Sequence, residues 1–163
     1  MFKIGDYITH PMHGAGVIES IVTKKINGSQ RDYYVLKLPV GDMVVMVPVS
    51  GCEDIGVRSI ISRSEAEKLF SAFSEIEISM TQNWNKRYRE NMDKIKSGNL
   101  LDVASVVKGL MCRDSERGLS TSERKMLHSA KQILISELVI ATDMDYDGVE
   151  KSCLLYTSDA ADE

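Results

Sequence analysis

The period of the hydrophobic residues changes near residue 60, and this change constrains the fold more than any other feature of the chain. Residues 2–58 contain short β-branched and aromatic runs, notably 33–38 and 43–49, and Asn27-Gly28 is a strong hairpin signal. Four or five strands in so short a segment predict a small SH3-like or Tudor-like β-barrel. Pro48 cannot donate a backbone hydrogen bond, so it favours an edge position for its strand.

After residue 62 the apolar residues recur at helical spacing. Capping-box patterns at Ser64 to Glu67 and at Ser120 to Glu123 predict two helix starts, and Asn99 predicts a third. With a further helical pattern before Asn99, we expect a compact bundle of four or five helices. The predicted fold class is therefore α+β, with a small β-barrel followed by an all-α helical bundle.

The same change of period divides the chain into predicted domains. We expect residues 1–60 to form the β domain and residues 61–150 the helical domain. Residues 153–163 break the amphipathic pattern and resemble the translation of a sequencing adapter. We therefore expect residues 151–163 to be a non-native tail and exclude them from functional reasoning.

Charge is distributed unevenly along a chain whose formal net charge is −4. Residues 1–58 are neutral, 59–82 carry −2, 83–126 carry +4 and 127–163 carry −6. Because salt confines electrostatic fields to about 10 Å, the local charge matters more than the total. A block of +4 predicts weak, salt-sensitive binding to phosphates, which needs a second contact to bring the chain to nucleic acid.

The basic block contains the single tryptophan of the chain, Trp84, followed by Lys86, Arg87 and Arg89. A flat apolar ring beside cations suits contact with an opened or distorted base step, with the cations on phosphates. The alternative is that Trp84 packs its helix into the core, and the local sequence alone favours that alternative. Tyr88, one turn later, is expected to support the ring rather than to contact a ligand.

The sequence lacks features that several classes of protein require. No apolar run approaches the length of a membrane span, and the N-terminus does not have the pattern of a signal peptide. The three cysteines, Cys52, Cys112 and Cys153, are widely spaced, which indicates a reduced, cytoplasmic protein with neither disulfides nor a zinc site.

Two motifs resemble parts of metal sites. His10 and His13 form an HxxH pair without further ligands at useful spacing, so loop packing is the preferred interpretation. Residues 143–148 match the start of a calcium loop, but its twelfth position, which should be Glu, is Leu154. Because a phosphate loop, a dinucleotide fingerprint and a nucleophile elbow are also missing, we expect no enzymatic activity, no metal and no cofactor.

The run at 43–49 is apolar on both faces of the predicted strand. Burial of both faces is one interpretation, but a small barrel cannot bury both faces of every strand. The other interpretation is a protein-docking surface that uses edge pairing or contact with an apolar patch.

Motifs in one order across both predicted domains resemble the CarD/CdnL family of bacterial transcription regulators. In the first domain they are FKIGD at 2–6, HP and HGAG within 10–16, YYVLKL at 33–38 and MVP at 46–48. In the second they are NWNKRY at 83–88, KSG at 96–98, RGLS at 117–120 and ERKML at 123–127. The resemblance spans about residues 2–142, and its colinearity is more specific than any single motif.

The resemblance implies that the first domain is a Tudor-like barrel that docks on the β subunit of RNA polymerase. The polymerase-binding module of the transcription-repair coupling factor is related to it. The docking surface would include Lys24, Met46, Val47 and Pro48. Some family members carry Arg where this chain has Met46, so the contact here would be mainly apolar.

The resemblance also implies that the helical domain contacts promoter DNA at the upstream edge of the melted region without reading its sequence. Trp84 would insert against the minor groove, and Lys86 and Arg89, with Arg87 between them, would hold the backbone. Such binding would stabilise the open promoter complex. The predicted partners are the polymerase β subunit and promoter DNA, and the free protein is expected to be a monomer.

Two alternatives belong to other classes of protein. One is a free-standing nucleic-acid-binding protein without a polymerase partner. The other is a protein-interaction adaptor in which Trp84 is buried. The exposure of Trp84 separates the adaptor from the other two.

Overall fold

The computed structural model describes residues 1–39, 42–78 and 80–152, and it begins with an antiparallel sheet. The strands of this sheet are β1 (Tyr7–His10), β2 (Gly14–Ile26), β3 (Ser29–Lys37), β4 (Val44–Pro48) and β5 (Arg58–Ser59). Their order is β4-β3-β2-β1-β5, which places β4 at one edge. The edge position predicted from Pro48 is therefore confirmed.

The β2–β3 hairpin contains the two longest strands of the sheet, and both lie inside the strand order. Its turn residues, Asn27 and Gly28, have φ angles of 50° and 81°, which is the left-handed geometry that an Asn-Gly hairpin turn requires. A register shift between Ile18 and Ser20 interrupts the pairing of the two strands. One face of the sheet carries a small hydrophobic core, which consists of Ile8, Ile18, Tyr34, Leu36, Leu38, Val47, Cys52 and Val57.

Helices form the rest of the described chain. Their bounds are α1 (Arg63–Phe73), α2 (Trp84–Lys96), α3 (Leu100–Arg117) and α4 (Thr121–Thr142), and residues 146–152 form a further short helix. They enclose a second hydrophobic core that is separate from that of the sheet. The predicted α+β fold class is confirmed. Residues 153–163, most of the predicted tail, lie outside the described residues.

The helix caps explain where each helix starts. Asn99 and Ser120 are the N-caps of α3 and α4, as predicted. The prediction for α1 was wrong by two residues, because its capping box joins Ser62 to Glu65. Ser62 Oγ accepts from the Glu65 backbone N–H at 3.1 Å, and a Glu65 carboxylate oxygen accepts from the Ser62 backbone N–H at 3.3 Å.

α4 is the central element because it packs against both α3 and β2. Six consecutive residues, 133–138, are buried, so this part of the helix faces protein on all sides. Gly14, with φ +93°, lets the start of β2 approach closely, since a Cβ there would lie 2.6 Å from Ser136 Oγ. The Ala15 N–H donates to the same oxygen at 2.9 Å.

A buried carboxylate on α4 ties the sheet to the helices. Glu137 has no exposed side-chain surface, and its two oxygens accept from the Arg58 guanidinium at 2.7 and 3.1 Å. The Ile61 backbone N–H donates to it as well, at 2.8 Å. Arg58 Nε donates to the Gly98 carbonyl at 3.0 Å, so one side chain of β5 contacts both α4 and the α2–α3 turn.

We expect Arg58→Ala to lower the free energy of unfolding by about 3 kcal/mol, because it leaves the buried Glu137 carboxylate without its countercharge. Urea unfolding followed by circular dichroism measures this change. Arg63→Ala is the matched control, since the Arg63–Glu67 pair is about two-thirds exposed on both sides and should contribute less than about 0.5 kcal/mol. Equal stability of the two variants would contradict the role of Glu137.

Candidate functional site

Trp84 is the first residue of α2, and 41% of its surface is exposed. Its ring stacks on that of Tyr88, with centroids 5.2 Å apart and planes 21° apart. Its indole N–H donates to Ser120 Oγ at 3.2 Å. The alternative in which Trp84 packs into the core is therefore wrong, and Tyr88, which is half-buried against the helical core, supports the ring from beneath.

The N-termini of α2 and α4 lie side by side at this point. Asn83 caps α2 by accepting from the Lys86 N–H at 3.0 Å, while Ser120 caps α4 by accepting from the Glu123 N–H at 3.2 Å. Helix N-termini carry partial positive charge. Two of them beside an exposed aromatic ring make this end of the helical core attractive to anionic groups such as phosphates.

Arg87 is buried, and its predicted role as a DNA-contacting cation is wrong. Only 2% of the residue is exposed, and its Nε and Nη2 donate to the two Glu123 oxygens at 3.0 and 3.1 Å. Its Nη1 donates to the carbonyls of Thr81 and Gln82 at 3.2 and 3.0 Å. Arg87 lies on the inward side of α2, where it neutralises a buried carboxylate and holds the loop that leads into the helix.

Lys86 and Arg89 remain exposed, as a phosphate contact would require. Three residues apart on a helix of 3.6 residues per turn, they lie about 60° apart around its axis, on the side facing away from Arg87. At the same spacing, Trp84 lies about 140–160° from both cations around this axis, so the ring and the two cations are on different sides of the start of α2. Their contact with DNA stays a prediction.

The sequence reasoning missed Ser120 and Lys125, which α4 brings to the same end of the molecule. Lys125 lines a groove of about 220 Å³ between α2, α4 and the β1–β2 loop, together with Tyr88 and Met92. The sequence feature that could have indicated both residues is the basic block, because it continues to residue 126. Only the packing of α4 against α2 shows that its start adjoins Trp84.

Glu123 remains ionised although it is buried. Hydrogen bonding from Arg87 lowers the pKa of this carboxyl, against the opposing effect of desolvation, and the charges of Arg87 and Arg113 lower it further. Ser120 also donates towards it, at 3.4 Å. The carboxylate predicted only as part of a capping box is thus the ionic centre of the α2–α4 contact.

Strand pairing assigns the predicted docking residues to the two faces of the sheet. Met46 lies opposite Val35, Pro48 opposite Tyr33, and Lys24 opposite Arg31, at positions of the same parity along each strand. These side chains therefore share what we call the outer face. It is the face opposite the sheet core, and its exposed or half-exposed residues are Tyr7, Val17, Ser20, Val22, Lys24, Arg31, Tyr33, Val35, Lys37, Val44, Met46 and Pro48.

Val47 does not belong to the outer face. Only 1% of it is exposed, and it pairs with Tyr34 in the core of the sheet. Its side chain therefore cannot contact a partner, since alternate residues of a strand point to opposite faces, and only its backbone could take part in the predicted docking. The backbone of Val47 still lies on the edge strand β4.

The remaining polar motifs have local structural roles. His10 Nδ1 accepts from the Met12 N–H at 3.0 Å, and burial, followed by the nearby His13, lowers the pKa of His10. Asp145 accepts from the Gly148 N–H at 2.7 Å, next to the start of the helix at 146–152. Position 154 of the calcium-loop pattern lies outside the described residues.

The two described cysteines are buried or half-buried thiols. Neither Cys52 nor Cys112 is in a disulfide, and burial raises the pKa of each. Both therefore stay protonated near neutral pH and resist reaction as nucleophiles. Within residues 1–39, 42–78 and 80–152, no helix is long and apolar enough to cross a membrane.

We expect the stability of the protein to fall as the pH drops below about 4.5, the ordinary pKa of Glu, because Glu123 has a lowered pKa in the folded state. Its ion pair stabilises the fold above that pH and is lost as the pH falls through the lowered value. Glu123→Gln should therefore show a weaker acid dependence of its free energy of unfolding, measured in urea at several pH values.

The control for this prediction is Glu67→Gln, because the Glu67 carboxylate belongs to an exposed ion pair. It should keep the acid dependence of the wild-type protein. An unchanged dependence in Glu123→Gln would show that another carboxyl accounts for the acid sensitivity.

Comparison with known proteins relates this geometry to a family. The "CarD-like/TRCF RID domain" matches residues 2–61, and the "CarD, C-terminal domain" matches residues 68–153. The chain is 39% identical over 140 residues to the Bacillus subtilis (strain 168) protein named "Putative transcription factor YdeB", across 86% of this chain and 92% of that protein. The resemblance found in the motifs is thus confirmed, and the chain belongs to the CarD family.

Proposed function

We propose that the chain is a non-enzymatic, cytoplasmic regulator of transcription that binds RNA polymerase and promoter DNA at the same time. The CarD family domains and the name of the Bacillus subtilis relative support regulation of transcription as the general function. The outer face would dock on the polymerase β subunit. The Trp84 end would contact DNA at the upstream edge of the melted region.

The exposed indole of Trp84 is the observation that carries the DNA part of the proposal. An indole that is 41% exposed and stacked on a second ring can stack on a base. Lys86 and Arg89 would meet the phosphates. Insertion between paired bases costs a few kcal/mol of unstacking in intact duplex, but much less where the strands are already separated.

This difference gives the protein a preference for opened DNA. A ligand that binds the open promoter complex better than the closed one shifts the equilibrium towards the open complex. A preference of about 1.4 kcal/mol is a tenfold shift. The proposed result is therefore a longer-lived open complex, without recognition of a base sequence.

The outer face supports the polymerase part of the proposal. Val44 and Met46 are 54% and 36% exposed, so apolar side chains face solvent on an edge strand. Such a strand can pair with a partner strand while its apolar side chains add contact area. Lys24 supplies a positive charge on the same face for an acidic partner.

Docking and DNA contact depend on each other in this proposal. The basic block carries only +4, so its affinity for DNA alone is weak. Attachment to the polymerase raises the effective concentration of the Trp84 end beside the melted DNA. The Arg58–Glu137 contact joins the sheet to α4, which supports a proposal in which the two surfaces act in one complex.

We expect Met46→Glu to abolish co-purification with the RNA polymerase β subunit, because the new charge would be desolvated in an apolar contact. The fold should persist, since the side chain is exposed. Leu101→Glu is the matched control, as Leu101 is 51% exposed but lies on α3. Retention of the β subunit by Met46→Glu would favour the free-standing nucleic-acid-binding protein.

We expect Trp84→Ala to shorten the lifetime of open promoter complexes about fivefold or more, which corresponds to the loss of one aromatic–base stack. Lifetimes are measured after challenge with a competitor that traps free polymerase. Binding to the β subunit should be unchanged, and Leu101→Ala should resemble the wild-type protein. An unchanged lifetime for Trp84→Ala would contradict insertion of the ring.

A further inference from the structure

We propose that Ser120 is a positioning residue for Trp84, which holds the indole in one orientation without contacting DNA itself. The proposal rests on the proposed DNA-binding function and adds to it a residue from a different helix. Trp84 and Ser120 are 36 positions apart in sequence, and the hydrogen bond between their side chains is 3.2 Å long.

The Ser120 hydroxyl uses its complete hydrogen-bonding capacity. It accepts from Trp84 Nε1 and from the Glu123 backbone N–H, both at 3.2 Å, and donates to Glu123 Oε1 at 3.4 Å. A hydroxyl has one proton and two lone pairs, so these three contacts satisfy it. The same oxygen therefore caps α4 and fixes the edge of the indole.

Tyr88 and Ser120 restrain different parts of the ring. Tyr88 covers one face of the indole at a centroid distance of 5.2 Å, and Ser120 holds the N–H edge. Stacking alone would let the ring slide or rotate in its plane. With the edge held as well, the exposed part of Trp84 points in one direction.

The position of Ser120 relative to α2 depends on the buried Arg87–Glu123 pair. Both side chains are 2% exposed, and the pair joins the first turn of α2 to the first turn of α4. Arg87 also holds the carbonyls of Thr81 and Gln82, which precede the α2 cap. The indole is thus held by α2 through its own backbone and by α4 through Ser120, and the Arg87–Glu123 pair joins these two helices.

An ordered ring loses less conformational entropy when it binds. Immobilising one flexible side chain on binding weakens affinity by about three- to tenfold, and Ser120 would remove this loss before DNA arrives. The exposed half of Trp84 would otherwise sample several rotamers. The role of Ser120 is therefore pre-organisation of the contact rather than an additional contact.

Ser120→Gly separates positioning from capping. Glycine is nearly as good an N-cap as serine, but it has no oxygen to accept the indole N–H. Ser120→Thr keeps the hydroxyl and should rescue the wild-type behaviour. Ser62→Gly is the matched control, because Ser62 caps α1 in the same way without contacting Trp84.

The experiment has two readouts in the full-length protein. The first is the fluorescence anisotropy decay of Trp84, which is unambiguous because the chain has one tryptophan. The second is the dissociation constant for a short DNA fork with an unpaired stretch, measured with a labelled fork at constant salt. We expect faster depolarisation and about three- to tenfold weaker binding for Ser120→Gly, with Ser120→Thr and Ser62→Gly close to wild type.

The outcomes distinguish this proposal from the proposed function. An anisotropy decay of Ser120→Gly identical to that of wild type would overturn the positioning role, and so would faster depolarisation with undiminished fork affinity. The fork is titrated at low salt, where a weak phosphate contact is strongest, and failure of the wild-type protein to bind it there would overturn the DNA-binding function. The anisotropy decay would in that case still decide whether Ser120 orders Trp84.

Discussion

The buried carboxylate of Glu137 is the interaction on which the arrangement of the whole protein depends. It has no exposed surface, and it is compensated by Arg58 from β5 and by a backbone N–H from the segment that follows. A buried carboxylate without these donors would be strongly destabilising. The requirement for compensation therefore holds β5 and the segment that follows it against α4.

A second buried ion pair serves the same purpose at the other end of α4. Arg87 and Glu123 join the starts of α2 and α4, so that Asn83, Trp84 and Ser120 meet at one place. The Arg58–Glu137 and Arg87–Glu123 pairs have the same structural role. Ionic groups inside the protein fix geometry, while the exposed residues around them stay available for partners.

The two exposed surfaces differ in chemistry, and each suits a different kind of partner. The outer face is apolar along β4, with Lys24 on the same face. The Trp84 end offers an aromatic ring and two helix N-termini. In the proposed function the two surfaces would act together on one assembly rather than singly.

The sequence alone determined the fold class and most helix starts. These depend on periodicity, capping and turn chemistry, which are local properties of the chain. The family resemblance also came from the sequence, because its motifs are local runs of residues in one order.

The tertiary structure decided which member of a local cluster faces inward. Arg87 and Val47 are buried because Glu123 and the sheet core lie against them, and Ser120 meets Trp84 because α4 packs beside α2. Contacts between residues far apart in sequence leave no local pattern, so only the packed structure shows them.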